Sequence, residues 1–236
     1  MTTQTLESTA QSTQQLPEIQ EIALAISIKN LSPTILTEDF LKFRGIIPSD
    51  WKLVKRPIFS PKLSKLTFHN KVTITAQPGS IAFVELINNQ AHDHLEISQV
   101  ATNLIEKLPN AGYQHLKISP KKIVPLSNTQ EDHHNYITKF LLAPGPWQEF
   151  GEKPVQTGIH FLYHLQDCQL SLNVNQAAIG KKDEPSTPAL LFSGTFHHQI
   201  TENEESQQLE HLKQHIHNWQ NRWNTFQELI NNRFLR

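Results

Sequence analysis

The last stretch of the chain, Glu204 to Arg236, restricts the fold more than any other. Leu209, Leu212, Ile216, Trp219, Trp223, Phe226, Ile230 and Phe234 recur at steps of three and four, which draws one apolar stripe down a helix. Thr201 followed by Glu204 offers a capping box, with Glu202, Glu204 and Glu205 beside the positive end of the helix dipole. Arg233 and Arg236 stand at the negative end. At ~1.5 Å per residue the segment predicts a rod of roughly 46 Å. A coiled coil would use the same seam, but two tryptophans and a phenylalanine suit a broad sheet better than a two-helix groove. The expectation is a long C-terminal helix lying across a sheet.

Strands for that sheet can be read upstream. Met1 to Leu16 is rich in Gln, Thr and Ser without periodicity, so residues 1–17 read as a disordered tail that buries too little to offset ordering. Ile19 to Ile28 alternates as a strand does. Pro33 to Phe43 reads as a short helix, with Thr37 capping its core and Gly45 ending it. Lys52 to Phe59, Lys65 to His69, Lys71 to Gln77 and Ser80 to Leu86 follow as strands, turned at Asn70 and at Pro78-Gly79. Ser98 to Leu108 is an amphipathic helix.

The second half repeats the order. Tyr113 to Val124 reads as a strand interrupted at Pro120, and Thr129 to Leu142 as a helix. Pro154 to Leu165, Cys168 to Asn175 and Pro188 to Ile200 read as strands, with a polar loop over Gly180 to Thr187. Thr37-Glu38-Asp39 answers Gln130-Glu131-Asp132, Pro48-x-x-Trp51 answers Pro144-x-x-Trp147, and Pro57 answers Pro154. The offset stays close to about 95 residues. The fold class expected is therefore α+β: two β-α-β(3-4)-α pseudo-repeats, over 18–110 and 111–236, forming one curved antiparallel sheet with helices on one face. That architecture resembles the saddle of the TATA-binding-protein fold, or the helix-grip arrangement, and the likeness carries no function with it.

Composition removes several function classes. A chain of 236 residues that is 37% hydrophobic can build a real core. A net charge of −1 gives no global pull toward nucleic acid or acidic lipid. One cysteine, Cys168, excludes an internal disulfide framework and suits a reducing compartment. No apolar run approaches ~18 residues, and the first basic residue is Lys29, which argues against a membrane span and a secretory leader. A cytoplasmic location is the expectation.

Histidine is the compositional oddity, at 13 residues. Candidate metal pairs are His92-x-His94, His133-His134, His160-x3-His164, His197-His198 and His211-x3-His215. On a helix the last pair shares a face and could hold one ion. No carboxylate or cysteine spacing completes a site and HExxH is absent, so solvated or core-edge histidine is the plainer reading. Ser193 lacks the glycine spacing of a nucleophile elbow, Cys168 has no CxxC partner, and neither a P-loop nor GxGxxG occurs. Glu38/Asp39 and Glu131/Asp132 read as helix-start charges. No catalytic, cofactor or metal residue is assigned.

Charge is uneven. Lys42, Arg44, Lys52, Lys55, Arg56, Lys62, Lys65 and Lys71 share a stretch with Asp50 as its lone acid, and Trp51, Phe59 and Phe68 are interleaved. From these, Lys52, Lys55, Arg56, Lys62, Lys65 and Lys71 are the candidate partner-binding residues, facing an acidic protein patch or nucleic acid. Solvation of edge strands explains the same lysines more plainly.

Leu31-Ser32-Pro33-Thr34-Ile35-Leu36 through Gly45-Ile46-Ile47-Pro48-Ser49-Asp50-Trp51 resembles an uncharacterised family of cyanobacterial proteins. Leu141-Leu142-Ala143-Pro144-Gly145-Pro146-Trp147-Gln148-Glu149-Phe150-Gly151, Leu191-Phe192-Ser193-Gly194 and the segment Trp223 to Leu235 look like further signatures of it. The chain is also similar to a sporadically distributed bacterial family that ends in a long helix. The resemblance implies a cyanobacterial, soluble, intracellular setting and supplies no catalytic residues. Abundant histidine, as at His133-His134 and His197-His198, does not look like a family feature.

The function expected is a non-catalytic protein-interaction or assembly module, docking through the open sheet face or the basic strands. The alternatives are a binder of an apolar small molecule or pigment under Trp219, Trp223 and Phe226, and nucleic-acid contact through the lysine-rich strands 42–71. Sequence leaves the partner's identity and the oligomeric state open.

Overall fold

A period of two decides the sheet. In β1 (Ile19–Ile28), Ile22, Leu24, Ile26 and Ile28 are buried, while Glu21, Ala23, Ala25 and Ser27 between them are only partly covered. One apolar face against one polar face is what a sheet covered on a single side requires. The structure is a computed structural model, and it describes residues 18–87, 94–126, 136–153, 155–180, 186–201 and 204–235. The expected tail, His92, His133-His134, Gln130-Glu131-Asp132, Pro154 and most of the polar loop lie outside those residues.

The other strands are β2 (Ile58–Phe59), β3 (Ser64–Thr67), β4 (Val72–Gln77), β5 (Ser80–Ile87), β6 (Tyr113–Pro125), β7 (Gly158–His164), β8 (Gln169–Ile179) and β9 (Thr187–Gln199). They form one open antiparallel sheet in the order β2-β3-β4-β5-β1-β6-β9-β8-β7. Outward from the central β1–β6 pair, one flank runs β5, β4, β3, β2 and the other β9, β8, β7. The expected turns are present. Gly79, at φ +76°, follows Pro78 between β4 and β5, and Asn70 Oδ1 accepts from the Val72 N–H at 3.4 Å between β3 and β4.

Helices cover the face that carries Ile22 and Leu24. The first is α1 (Glu38–Phe43), whose cap Thr37 accepts the Phe40 N–H at 3.0 Å as expected; Pro33–Ile35 ahead of it is a separate 3-10 turn. Next, α2 (Glu96–Lys107) rests on β1 and β5. It begins on Leu95, which has no side-chain oxygen, and the Glu85 carboxylate of β5 accepts the Ile97 N–H at 3.1 Å instead. Burial of that carboxyl raises its pKa above the usual range.

The C-terminal stripe lies down on the strands. Leu212, Ile216, Phe226 and Ile230 are fully buried, and Trp219, Trp223 and Phe234 nearly so. Phe234 meets Phe161 of β7 and Phe192 of β9 edge-on, at 5.5 and 5.7 Å between ring centroids. Lys122, buried on the same face of β6, pairs with Glu18 at 3.0 Å and donates to Asn231 at 2.9 Å.

Five expectations need correction. The single rod is divided into α3 (Glu205–His217) and α4 (Trp219–Leu229), followed by a π-helical turn over Ile230–Phe234. Asn218 makes the break at φ −80° and ψ +10°, with its side-chain oxygen accepting from the Asn221 amide. Its start is also later: Glu204 occupies the cap, and the Thr201–Glu204 capping box does not form. The strand expected over Lys52 to Phe59 shrinks to a bridge at Leu53 and the two residues of β2, since Pro57 has no N–H to donate. Of the helix expected over Thr129 to Leu142, the described part is one π-helical turn, Tyr136–Leu141. Pro120, by contrast, does not stop β6. It pairs with Ile22 on one side, and only the ladder to β9 lapses, at Ser119 and Pro120.

Candidate functional site

The uncovered face of the sheet is the candidate. Register fixes what stands on it. One row across the strands reads His164, Gln169, His197, Lys117, Ala25, Ala82, Thr75 and Lys65. The row after next holds His160, Asn173, Ser193, Lys121, Glu21 and Leu86. Residues directly opposite in such rows have Cβ atoms about 5 Å apart, so each side chain touches its row neighbours. Among the described strand residues, this face carries Lys65, Lys117, Lys121, His115, His160, His164 and His197, and a single carboxylate, Glu21. Glu21 is already held by Lys121 at 2.8 Å. The face is therefore basic in a chain that is not.

The six candidate residues read from the sequence are all exposed. They do not make one patch. Lys65 projects from the open face in β3, Lys62 sits in the Ser60–Leu63 turn, and Lys71 follows Asn70 in the β3–β4 turn at φ +69°. Lys52, Lys55 and Arg56 lie in the irregular segment leading to β2. Of the interleaved aromatics, Phe68 is buried with Trp51 packed on it at 5.1 Å, which leaves Phe59 as the exposed ring.

At one end of the face, where β6 starts, β9 ends and β7 turns into β8, there is a cleft of about 820 Å³. His115, Lys117, His164, Gln169 and His197 line it from the open side. Burial and the charges of Lys117 and His115 hold the His197 imidazole below the usual histidine pKa. Nothing local in the sequence announces this group. Its members come from four strands, and only the pairing brings them together.

Histidine also gathers on the covered face. His211 and His215 share a side of α3 as the spacing requires, with Nε2 atoms 2.6 Å apart, and the His198 ring lies tilted against His215 at 4.2 Å. Among the described residues, no three His, Cys, Asp or Glu side chains are disposed to hold a metal ion. Burial, the neighbouring His215 and the Arg222 charge push His198 down to about 3. Cys168 nearby is half-buried, which raises its thiol pKa.

Arg222 of α4 is buried, with its guanidinium 5.7 Å over the Phe196 ring and an ion pair to Asp167 of the β7–β8 turn. That pairing holds the Asp167 carboxyl below the ordinary aspartate range. Asp167→Asn is expected to cost about 1–2 kcal/mol, because a buried guanidinium loses its charged acceptor. Urea midpoints at neutral pH measure it, and the difference should fade once acid protonates Asp167 in the parent chain.

Compared with family models, with curated proteins and with solved structures, the chain matches none of them.

Proposed function

We propose that the protein is a non-catalytic interaction module whose open sheet face docks on an acidic surface of a protein partner. The observation that carries this reading is the basic character of that face: among the described strand residues it holds three lysines and four histidines against one carboxylate, Glu21, which Lys121 pairs. Like-signed charge over a broad polar face speeds and orients encounter with an oppositely charged surface. The margin residues Lys52, Lys55, Arg56, Lys62 and Lys71 extend the same sign beyond β3, which is the part we give them. Trp51 and Phe68 pack inward, which takes two of the three interleaved rings away from a nucleic-acid surface and leaves Phe59, with Phe43 earlier in the chain, exposed. The direct seat of Phe226 on Gly194 speaks for core packing under the C-terminal helices and against a pigment there.

The same proposal includes the origin of the fold. The mirrored strand order about β1 and β6 supports two pseudo-repeats over 18–110 and 111–236, bent as in the TATA-binding-protein or helix-grip arrangements. A cytoplasmic, cyanobacterial setting rests on the family resemblance; in the described residues no helix is long and apolar enough to cross a membrane. The test is recovery of partners from native lysate with the parent chain and with the Lys65→Glu, Lys117→Glu, Lys121→Glu triple variant. A stoichiometric partner should be held by the parent, released by salt, and lost by the variant. Equal recovery by both chains ends the reading.

A further inference from the structure

The basic end of the open face has a form that docking alone does not require. Charges that only steer a partner can be scattered, yet four basic side chains here converge on one concave space. Lys117 and His197 are direct partners across β6 and β9, His197 and Gln169 across β9 and β8, and Gln169 and His164 across β8 and β7. His115 stands one row further out on β6. The Gln169 amide nitrogen lies 3.5 Å from His164 Nδ1, so this pair is already oriented within the row. Among the described residues the carboxylate lining the cleft is Asp167, and it is taken up by Arg222. What is left facing the cleft is the Lys117 ammonium and three imidazole rings that become cationic on protonation.

We infer that this cleft is a binding site for a small phosphate or sulfate monoester, with its anionic group held between Lys117, His197 and His164. Donors arriving from several strands match a tetrahedral oxyanion, which accepts in several directions, better than a flat carboxylate. At about 820 Å³ the space is far larger than a free ion and falls among sites for small organic ligands, roughly 300–1,000 Å³. The Gln169 amide and the polar edges of Ser171 and Gln199 remain for the organic part of the ester.

Binding should depend on pH in one direction. The groups facing His197 are Lys117 and His115 on β6 and Gln169 on β8, with His164 beyond; His198 and Asp167 line the cleft from its inner side, and His211, His215 and Arg222 lie behind them. The cationic neighbours discourage a proton on His197. An anion in the cleft offsets their repulsion, so proton and anion bind together and affinity rises as pH falls. This site needs no protein partner, and its test is independent of the docking proposal.

The experiment is a titration of the full chain with sodium sulfate at constant ionic strength, read on the histidine ring resonances by NMR. Sulfate keeps its charge over the range, so any pH dependence belongs to the protein. The ring signals of His197 and His164 should saturate together, with affinity roughly tenfold tighter near pH 5.5 than near pH 8, a difference of about 1.4 kcal/mol. Lys117→Gln should weaken binding at both pH values, and His197→Asn should reduce the pH dependence, leaving the part carried by His115 and His164, while sparing the affinity near pH 8. Glycerol 3-phosphate should bind more tightly than sulfate through its organic part. Shifts that never saturate, or that are alike in parent and Lys117→Gln chains, overturn the site. An ester that binds no more tightly than sulfate overturns its assignment to esters.

Discussion

Phe226→Ala is expected to lower the free energy of unfolding by about 3–5 kcal/mol, a large part of a total near 5–15 kcal/mol. The ring is fully buried and enters a dent in the sheet that the backbone makes for it. At Gly194 in β9 a Cβ would stand 2.8 Å from Phe226 Cδ2 and 3.3 Å from Pro120 Cγ. Glycine weakens an ordinary strand, so valine at such a position would normally help. Here the sign reverses, because the ring sits where the side chain would go. Gly194→Val should cost about 1–3 kcal/mol by overpacking. The cycle separates this account from a general intolerance of β9. In the Phe226→Ala background the valine should fill the vacated space and recover stability, with a coupling of about 1–3 kcal/mol. Urea unfolding at unchanged slope measures all four chains. A valine cost that is the same with and without the ring would mean that the ring and the glycine do not lock together.

Local pattern gave away what local pattern controls. The stripe from Leu212 to Phe234 obeys a period set by the helix itself, so its burial could be read before any partner surface was known. The same holds for Thr37 as a cap and for Pro78-Gly79 as a turn, where one or two residues fix the backbone. The failures are places where a neighbour decides. Pro120 reads as a strand breaker, yet it interrupts only the β6–β9 ladder while the pairing to β1 continues through Ile22. Lys52 to Phe59 has strand-like residues but finds almost no partner. The candidate site is the extreme case. Lysines adjacent in sequence, such as Lys52 and Lys55, end up along a margin, while Lys117, His164 and His197 meet on one face. Their chance of meeting was set by three strand registers, each fixed by which residues of distant segments bury together. A charge count along the chain cannot see that.

The second large effect is a loss of stability in mild acid, and His198 is its source. The ring is buried between β9 and α3, against His215, with His211 beyond it, Arg222 from α4 and Asp167 from the β7–β8 turn. Among the described residues, neither ring nitrogen has a hydrogen-bond partner. Folded His198 titrates at about 3, whereas an unfolded histidine does so near 6.5. As pH falls below that unfolded value, the unfolded chain takes up a proton that the folded ring refuses. Stability is therefore full above about pH 6.5 and declines by up to about 1.4 kcal/mol per pH unit toward pH 3. By about pH 4 the loss should reach roughly 3 kcal/mol. The Asp167–Arg222 pair acts in a lower window, since its contribution is present above the ordinary aspartate pKa and lost as pH falls through the depressed folded value. His197, also lowered, adds to the upper window and is matched by carrying His197→Asn in both chains compared. His198→Phe is the informative change: it keeps a flat ring against His215 and removes only nitrogens that bond to nothing. It should fold with a stability within about 1 kcal/mol of the parent near neutral pH. Between about pH 6.5 and 4 its unfolding free energy should change by close to one proton less per molecule than the parent's. An unchanged slope in the phenylalanine chain would place the acid sensitivity elsewhere and deny that the helices are seated on a neutral imidazole.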